Sequence, residues 1–400
     1  MNANNTTPPG TSASPALTQP ISPIVLAQRR STDTATRVRD ARLVLAGRVL
    51  VANDPTDGHT YPHLFAGKPT LEAVTGLVAA GKHSADLIRA LREAHPDPDK
   101  LVLLFAPAGS EKHDATTHRP FIFGDDLDNP SLLPTSIEDH LNGQLELGAS
   151  VVVLPTGYVR AGDYKALRAV IEAANKIDRI DVVLHIPVDY NWLAKDSIGD
   201  FTRAMQASRH PVAISLGDRN KNPMENAGVL AGVRTISREC EWAMFWNTDL
   251  GGFEAMSHGA KAAAIGAVPS RRRAIIPGRD GFGSHGHDPH VLLPDLLRYK
   301  KSRRIRGEWF ASLTPPVCLC AVCGGRPIDR YSGSDLDRAA AHRHNALGVI
   351  EMASEAQASG DLTAWWNSRV DAAIAAHTEL GGRIGAPLKI PADLTAWSKR

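Results

Sequence analysis

From Leu101 onward, short hydrophobic runs alternate with longer stretches whose apolar positions recur at helical spacing, the pattern that βα units and a parallel sheet produce. The runs predict strands over Leu101–Ala106, Pro120–Phe123, Ser150–Leu154, Asp181–Ile186, Pro211–Leu216, Glu241–Trp246, Ala262–Ala267 and Arg273–Ile276. Between them, helices are predicted over Ile137–Leu147, Asp163–Lys176, Ile198–Ser208, Glu225–Arg238 and Phe253–Lys261, and each crossover is long enough to return the chain in parallel. Eight strands is the barrel number, so the expected fold is α/β, a (β/α)8 TIM barrel. A doubly wound open sheet is the competing arrangement; no GxGxxG follows any of these strands, which counts against it.

Upstream, RLVLAGRVLVANDPTDG reads as two short strands, a hairpin in front of the main domain, and the Thr/Pro/Ser/Asn-rich start reads as a disordered leader. The expected division is a leader over 1–36, N-terminal strands and a helix packing on the barrel over 37–100, the barrel over 101–316, a metal-binding subdomain over 317–345 and C-terminal helices over 346–400. In the last of these, Asp361 is placed as a cap, and Trp365 and Trp366 read as packing.

Several strands run into aspartates: Asp125 and Asp126 in FIFGDD, Asp189 in HIPVDYN, Asp218 in SLGDRN and Asp249 in FWNTDLGG. On a parallel barrel they would ring the C-terminal mouth, where such folds carry out chemistry. An aspartate after a strand also serves as a helix N-cap, satisfying free N–H groups.

The charges nearly balance, 45 Lys plus Arg against 43 Asp plus Glu, so nucleic-acid binding must be argued from local clusters. Four cysteines do not make a secreted disulfide framework, and neither a signal peptide nor a membrane-spanning apolar run is present, so a cytoplasmic, membrane-free protein is expected. Three of the cysteines form the CxCxxC cluster Cys318, Cys320 and Cys323, with His342 and His344 downstream in AAAHRHNALGV. Three thiolates and one imidazole are the closed tetrahedral set of structural Zn²⁺. Gly324 and Gly325 suit the tight turn that brings backbone N–H groups toward the sulfurs, and Ser334 with Asp337 caps the helix that carries the histidine. Reduced core thiols, or an iron-sulfur site lacking one cysteine, are the alternatives.

These residues resemble the tRNA-guanine transglycosylase superfamily. CLCAVC followed by HNAL is similar to that family's zinc segment after the eighth strand, which favours His344 over His342 as ligand. SIEDHLNGQLELGAS resembles its Ser-Ile-Glu helix and Leu-Gly-Ala turn. RPFIFGDD resembles the stretch ending in the aspartate that acts on the base, which implies that role for Asp125 or Asp126. The resemblance implies a pentosyltransferase that exchanges or recognises a guanine or 7-deazaguanine base in tRNA or DNA. Two departures stand against direct inheritance. Pro155, Thr156 and Gly157 replace an acidic contact to the base, and Ala264 and Ile265 stand where the nucleophilic aspartate is expected. Base exchange needs a nucleophile on the ribose C1′, and Asp249 is the nearest substitute in the same mouth.

Other clusters bear on substrate. Arg298, Lys300, Lys301, Arg303, Arg304 and Arg306, with Tyr299 and Trp309 interleaved, suit phosphate contacts or a solvated helix face. Arg271, Arg272 and Arg273 follow the seventh strand and, with Asp189 and Asp218, are expected at the substrate; they also suit a small phosphorylated metabolite and thus a barrel hydrolase or lyase. His285, His287 and His290 lie in a glycine-rich loop fit for a second metal or an acid or base, or for plain surface. Cys240 reads as a core thiol. A noncatalytic nucleic-acid-binding or partner subunit is the rival function, and association as a homodimer or heterodimer is left open by the sequence.

Overall fold

The computed structural model describes residues 39–54, 74–81, 83–94, 100–107, 113–123, 136–218, 222–278, 288–311, 313–385 and 387–399. Eight parallel strands, β1 (Val49–Asn53), β2 (Thr75–Ala79), β3 (Val102–Phe105), β4 (Val152–Pro155), β5 (Val182–Asp189), β6 (Val212–Gly217), β7 (Ala243–Thr248) and β8 (Ala262–Gly266), follow one another around a nearly closed barrel. The circle passes from β8 to β1, where Val49 stands opposite Ala263, so the last strand pairs with the first. Among the described residues no strand ladder joins β3 to β4. That seam is held by Ser150, whose N–H donates to the Leu103 carbonyl at 2.7 Å and whose hydroxyl accepts from the Leu103 N–H at 3.0 Å. Arg92 spans the same seam, donating to the Gly148 carbonyl and the Ser150 hydroxyl.

The strands are buried along both faces, which explains why they read as continuous apolar runs. One set of side chains, including Leu50, Ala52, Val78, Val153, Val183, Met244, Trp246 and Ala264, fills the axis. The alternate set packs outward against helices α1 (Ala41–Leu45), α2 (Ser84–Ala94), α3 (Ile137–Glu146), α4 (Tyr164–Ala174), α5 (Ile198–Gln206), α6 (Ala227–Glu239) and α7 (Gly251–Ser257), except that α1 sends Ala41 and Leu45 into the axial cluster and plugs its N-terminal end. Ser136, Asp163 and Asn226 cap α3, α4 and α6 through side-chain oxygens, fixing where those helices begin.

Six predicted strands match β3 to β8 and two do not. RLVLA is helix α1, and the segment after it is β1 of the barrel itself rather than half of a hairpin. Pro120–Phe123 and Arg273–Ile276 are not wall strands: each touches the rim through a single bridge, Phe121 to Thr156 and Ala274 to Gly217. Tyr158, fully buried, packs there with Ala274 and Ile276. Gly157 permits the approach of this covering layer, since a Cβ would lie 2.5 Å from the Ala115 nitrogen.

After β8 come an antiparallel hairpin, β9 (His290–Leu293) with β10 (Arg298–Lys301), and a small two-stranded ribbon, β11 (Val317–Cys318) with β12 (Arg326–Pro327). Three helices, α8 (Asp335–Ala358), α9 (Leu362–Arg383) and α10 (Ala392–Trp397), complete the chain. Ser334 caps α8 and Asp361 caps α9 as expected. Trp366 is fully buried and stacks on Phe253 of α7, and Trp365 packs on the same ring, so both tryptophans are packing residues. Cys240 is a buried thiol, pushed up to about 11 by burial and then by Glu239. Among the described residues no helix is long and apolar enough to cross a membrane.

Candidate metal centre and barrel mouth

Cys318 ends β11, Cys320 and Cys323 sit in the turn that follows, and His344 comes from the third turn of α8. Their four donor atoms lie within 4.8 Å of one another. His344 Nδ1 is 3.6, 3.4 and 3.3 Å from the sulfurs of Cys318, Cys320 and Cys323. Its other ring nitrogen faces the Leu292 carbonyl at 2.8 Å, which fixes the ring so that Nδ1 points at the sulfurs. The knuckle turn needs glycine at Gly324 and Gly325, both at positive φ. Their N–H groups bond the carbonyls of Cys320 and Cys318; it is the Cys323 N–H that reaches a sulfur, that of Cys320.

Arg330 and Tyr331 add a second ring of donors around Cys323, at 3.3 and 3.1 Å from its sulfur. Hydrogen bonds from Cys318 and Cys320, helped by His344 and Tyr331, hold the Cys323 thiol far below its ordinary range, while those with Cys318 and Cys323 push the Cys320 thiol above its own. Three sulfurs and one imidazole nitrogen converging without a carboxylate fit a single metal ion with every coordination position taken by protein. His342 is not one of the four; it points toward the mouth, where burial and then Arg272 push it down to about 4.

At the mouth the predicted aspartates part company. Asp125 and Asp126 lie outside the described residues, as do His285 and His287. Asp189 caps the turn Tyr190–Leu193, accepting from the Asn191 N–H at 2.9 Å, which is the helix-cap role. Asp218 is half-buried and within electrostatic reach of Arg273. Asp249 differs: its carboxylate accepts from the Asn222 amide and from the Gly251 N–H, and burial, then Asp393, push it up to about 6. It lines a cavity of about 260 Å³ with Asn222, Glu225, Arg272, Arg298 and Tyr299.

The three arginines after β8 are engaged. Arg271 pairs with Asp54 at 3.3 Å. Arg272 donates to the carbonyls of Gly266 and Ala267 and lies over the Tyr299 ring, 3.2 Å from its centroid. Arg273 is half-buried and lines the cavity. Of the basic stretch, Arg298 is clamped between Glu225 and Asp393, and Lys300 lies over buried Trp309 at 4.9 Å. Lys301 is half-buried on β10. Arg303, Arg304 and Arg306 are exposed, Arg304 beside Glu308 and Arg306 donating to the Tyr331 carbonyl. His290 is half-buried at the cavity, pushed down to about 3 by burial and then by Arg272.

Ala264 faces the axis and Ile265 the helices, so β8 presents no carboxylate. Thr156 is buried and donates its hydroxyl to the His185 carbonyl. His185 itself is missing from the sequence reading. It is buried on the axis, with Nε2 2.7 Å from the Ser215 hydroxyl and its ring 5.5 Å from that of Trp246, and burial and then Arg271 push it down to about 3. The signal was its place in VVLHIPVD, on the same face of the strand as Val183 of the axial cluster. Glu225 and Asp393 are also missing from that reading. No protein-family model matches the chain, and a search of the curated proteins finds no match.

Proposed function

We propose that this chain is a zinc-stapled barrel protein of the transglycosylase type, with Asp249 as the group that attacks the ribose C1′ of a guanine-type nucleotide in nucleic acid. The observation that carries the reading is the Asp249 carboxyl, which lines a cavity with arginines beside it where neither Asp189 nor Asp218 does. At about 260 Å³ the cavity falls just below the roughly 300–1,000 Å³ of drug-sized ligand sites, a scale for a single base. Cys318, Cys320, Cys323 and His344 would hold Zn²⁺ as a closed tetrahedral site, which pins α8 to the ribbon and the hairpin.

In the exchange, the Asp249 oxygen forms a bond to C1′ as the base–C1′ bond breaks, and the departing base takes up a proton. An incoming 7-deazaguanine-type base then displaces the aspartate, losing its proton and restoring the carboxylate. Arg272 and Arg298 place positive charge beside the carboxylate. Incubation with guanine-containing RNA and DNA should trap an adduct of matching mass on the wild-type chain and none on Asp249→Asn.

The second reading is a noncatalytic nucleic-acid-binding subunit, favoured by Ala264 and Ile265 in place of a β8 carboxylate and by the exposed Arg303, Arg304 and Arg306. Tight, salt-sensitive binding without adduct or base exchange would establish it.

A further inference from the structure

The last helix reaches into the mouth. Arg298 enters β10 after Leu297, which adopts positive φ, and its guanidinium is held from two sides. One NH group donates to Asp393 of α10 at 2.5 Å and the other to Glu225 at 2.8 Å. Asp393 is 1% exposed, and its other oxygen accepts the Leu394 N–H. The helix is fastened independently: Arg234 donates to the carbonyls of Ala396, Trp397 and Lys399, while Leu394 and Trp397 are buried, the latter against Trp366. Arg298 and Asp249 line one cavity, and Asn222, which donates to Asp249, opens the turn that ends in Glu225.

An arginine beside an aspartate would ordinarily close a charge-assisted pair with it. Here each terminal nitrogen of Arg298 is already engaged by another carboxylate. We propose that Asp393, together with Glu225, is a positioning residue of the mouth: the pair clamps Arg298 away from Asp249, so that Asp249 stays a hydrogen-bonded carboxyl open to the cavity instead of one arm of an ion pair. The C-terminal helix is thereby part of the site, although it touches no reacting atom.

The charged and titratable groups around Asp249 are Arg272, Arg273, Arg298, Tyr299, Glu225, Asp393 and His290. Loss of the Asp393 charge removes a repulsion and frees Arg298, both of which favour the ionised form of Asp249. Loss of the Arg298 charge acts in the opposite sense. This deepens the proposed function, but the titration of Asp249 is measurable without turnover.

Carbon-detected NMR of the aspartate carboxyls, with Asp249 assigned by Asp249→Asn, tests it on the full chain. The native midpoint near 6 should fall by about 1 pH unit or more in Asp393→Asn, fall less in Glu225→Gln, and rise in Arg298→Met. If Asp393→Asn does not fold, Glu225→Gln and Arg298→Met carry the test. A midpoint that stays put in the folded variants, or moves the same way in Arg298→Met as in the carboxylate variants, overturns the clamp. Midpoints that move as stated while no adduct forms on the wild-type chain uphold the clamp and sink the transglycosylase reading; an adduct with unmoved midpoints does the reverse.

Discussion

At the metal centre all four donors come from two nearby stretches, Cys318–Cys323 and one turn of α8, and the imidazole is aimed by the bond of His344 to the Leu292 carbonyl. The mouth instead assembles Asn222 and Glu225, Asp249, Arg272, Arg298 and Asp393 from five separate stretches of chain. In the first region the four donor atoms converge closely enough for one cation to join them. In the second, charge is balanced pair by pair, and Asp249 is left with burial and a nearby carboxylate working against its ionisation. A closed donor set makes a staple; an incompletely compensated carboxyl in a cavity makes a place for chemistry.

Removing the cation should separate the two regions most sharply. Elemental analysis should find roughly one zinc per chain, with metal lost in Cys323→Ser and retained in His342→Ala. Metal loss should lower the thermal midpoint by about 10 °C or more, because a binding free energy of roughly 10 kcal/mol then no longer favours the folded chain. A chain that melts unchanged in chelator would break the contrast. Next in size, Asp249→Asn should reduce base exchange by at least about 10³-fold with no loss of metal, since it removes the proposed nucleophile and leaves the cysteine cluster alone. A variant with full activity would move the chemistry elsewhere.

The pH dependence is the third effect. Because burial raises Asp249 to about 6 and the proposed attack requires the carboxylate, exchange should be slow at pH 5, climb through 6 and level off above 7. A flat rate over that range would assign the attack to another group. A smaller change is expected outside both regions. Replacing Arg303, Arg304 and Arg306 by alanine should lower the slope of log affinity against log salt by up to about 3, roughly 0.9 for each duplex DNA phosphate that is no longer neutralised. Smallest of all, Glu308→Ala removes a surface partner of Arg304, half-exposed on both sides, and should change stability by less than about 1 kcal/mol, as chemical denaturation can check.

The same contrast governs what could be read from residues alone. The CxCxxC spacing and the capped helix of His344 are local patterns, and they led to the observed cluster. So did the runs that became β3 to β8. Helix α1 was misread because RLVLA is too short to display a helical period. β2 went unread because Gly76 interrupts it, yet a Cβ there would lie 2.5 Å from the Val102 carbonyl oxygen, so the residue that weakens the strand signal lets the neighbouring strand approach. The clamp on Arg298 had no local signature: Glu225 and Asp393 look like ordinary surface acids until the fold sets them on either side of one guanidinium.

Among the described residues, a cylinder laced by ladders at every join except one behaves like a split ring. Where β3 meets β4, the load passes through the Ser150 amide and hydroxyl and one arginine side chain, and Ser150→Ala would leave the Leu103 amide without its side-chain acceptor. Breathing of the wall should therefore begin on that flank, half a circumference from β7 and β8, and amides of β3 should trade their hydrogens for deuterium sooner than those of β6 and β7. The side of the ring that bears Asp249 would stay taut while the opposite side gives.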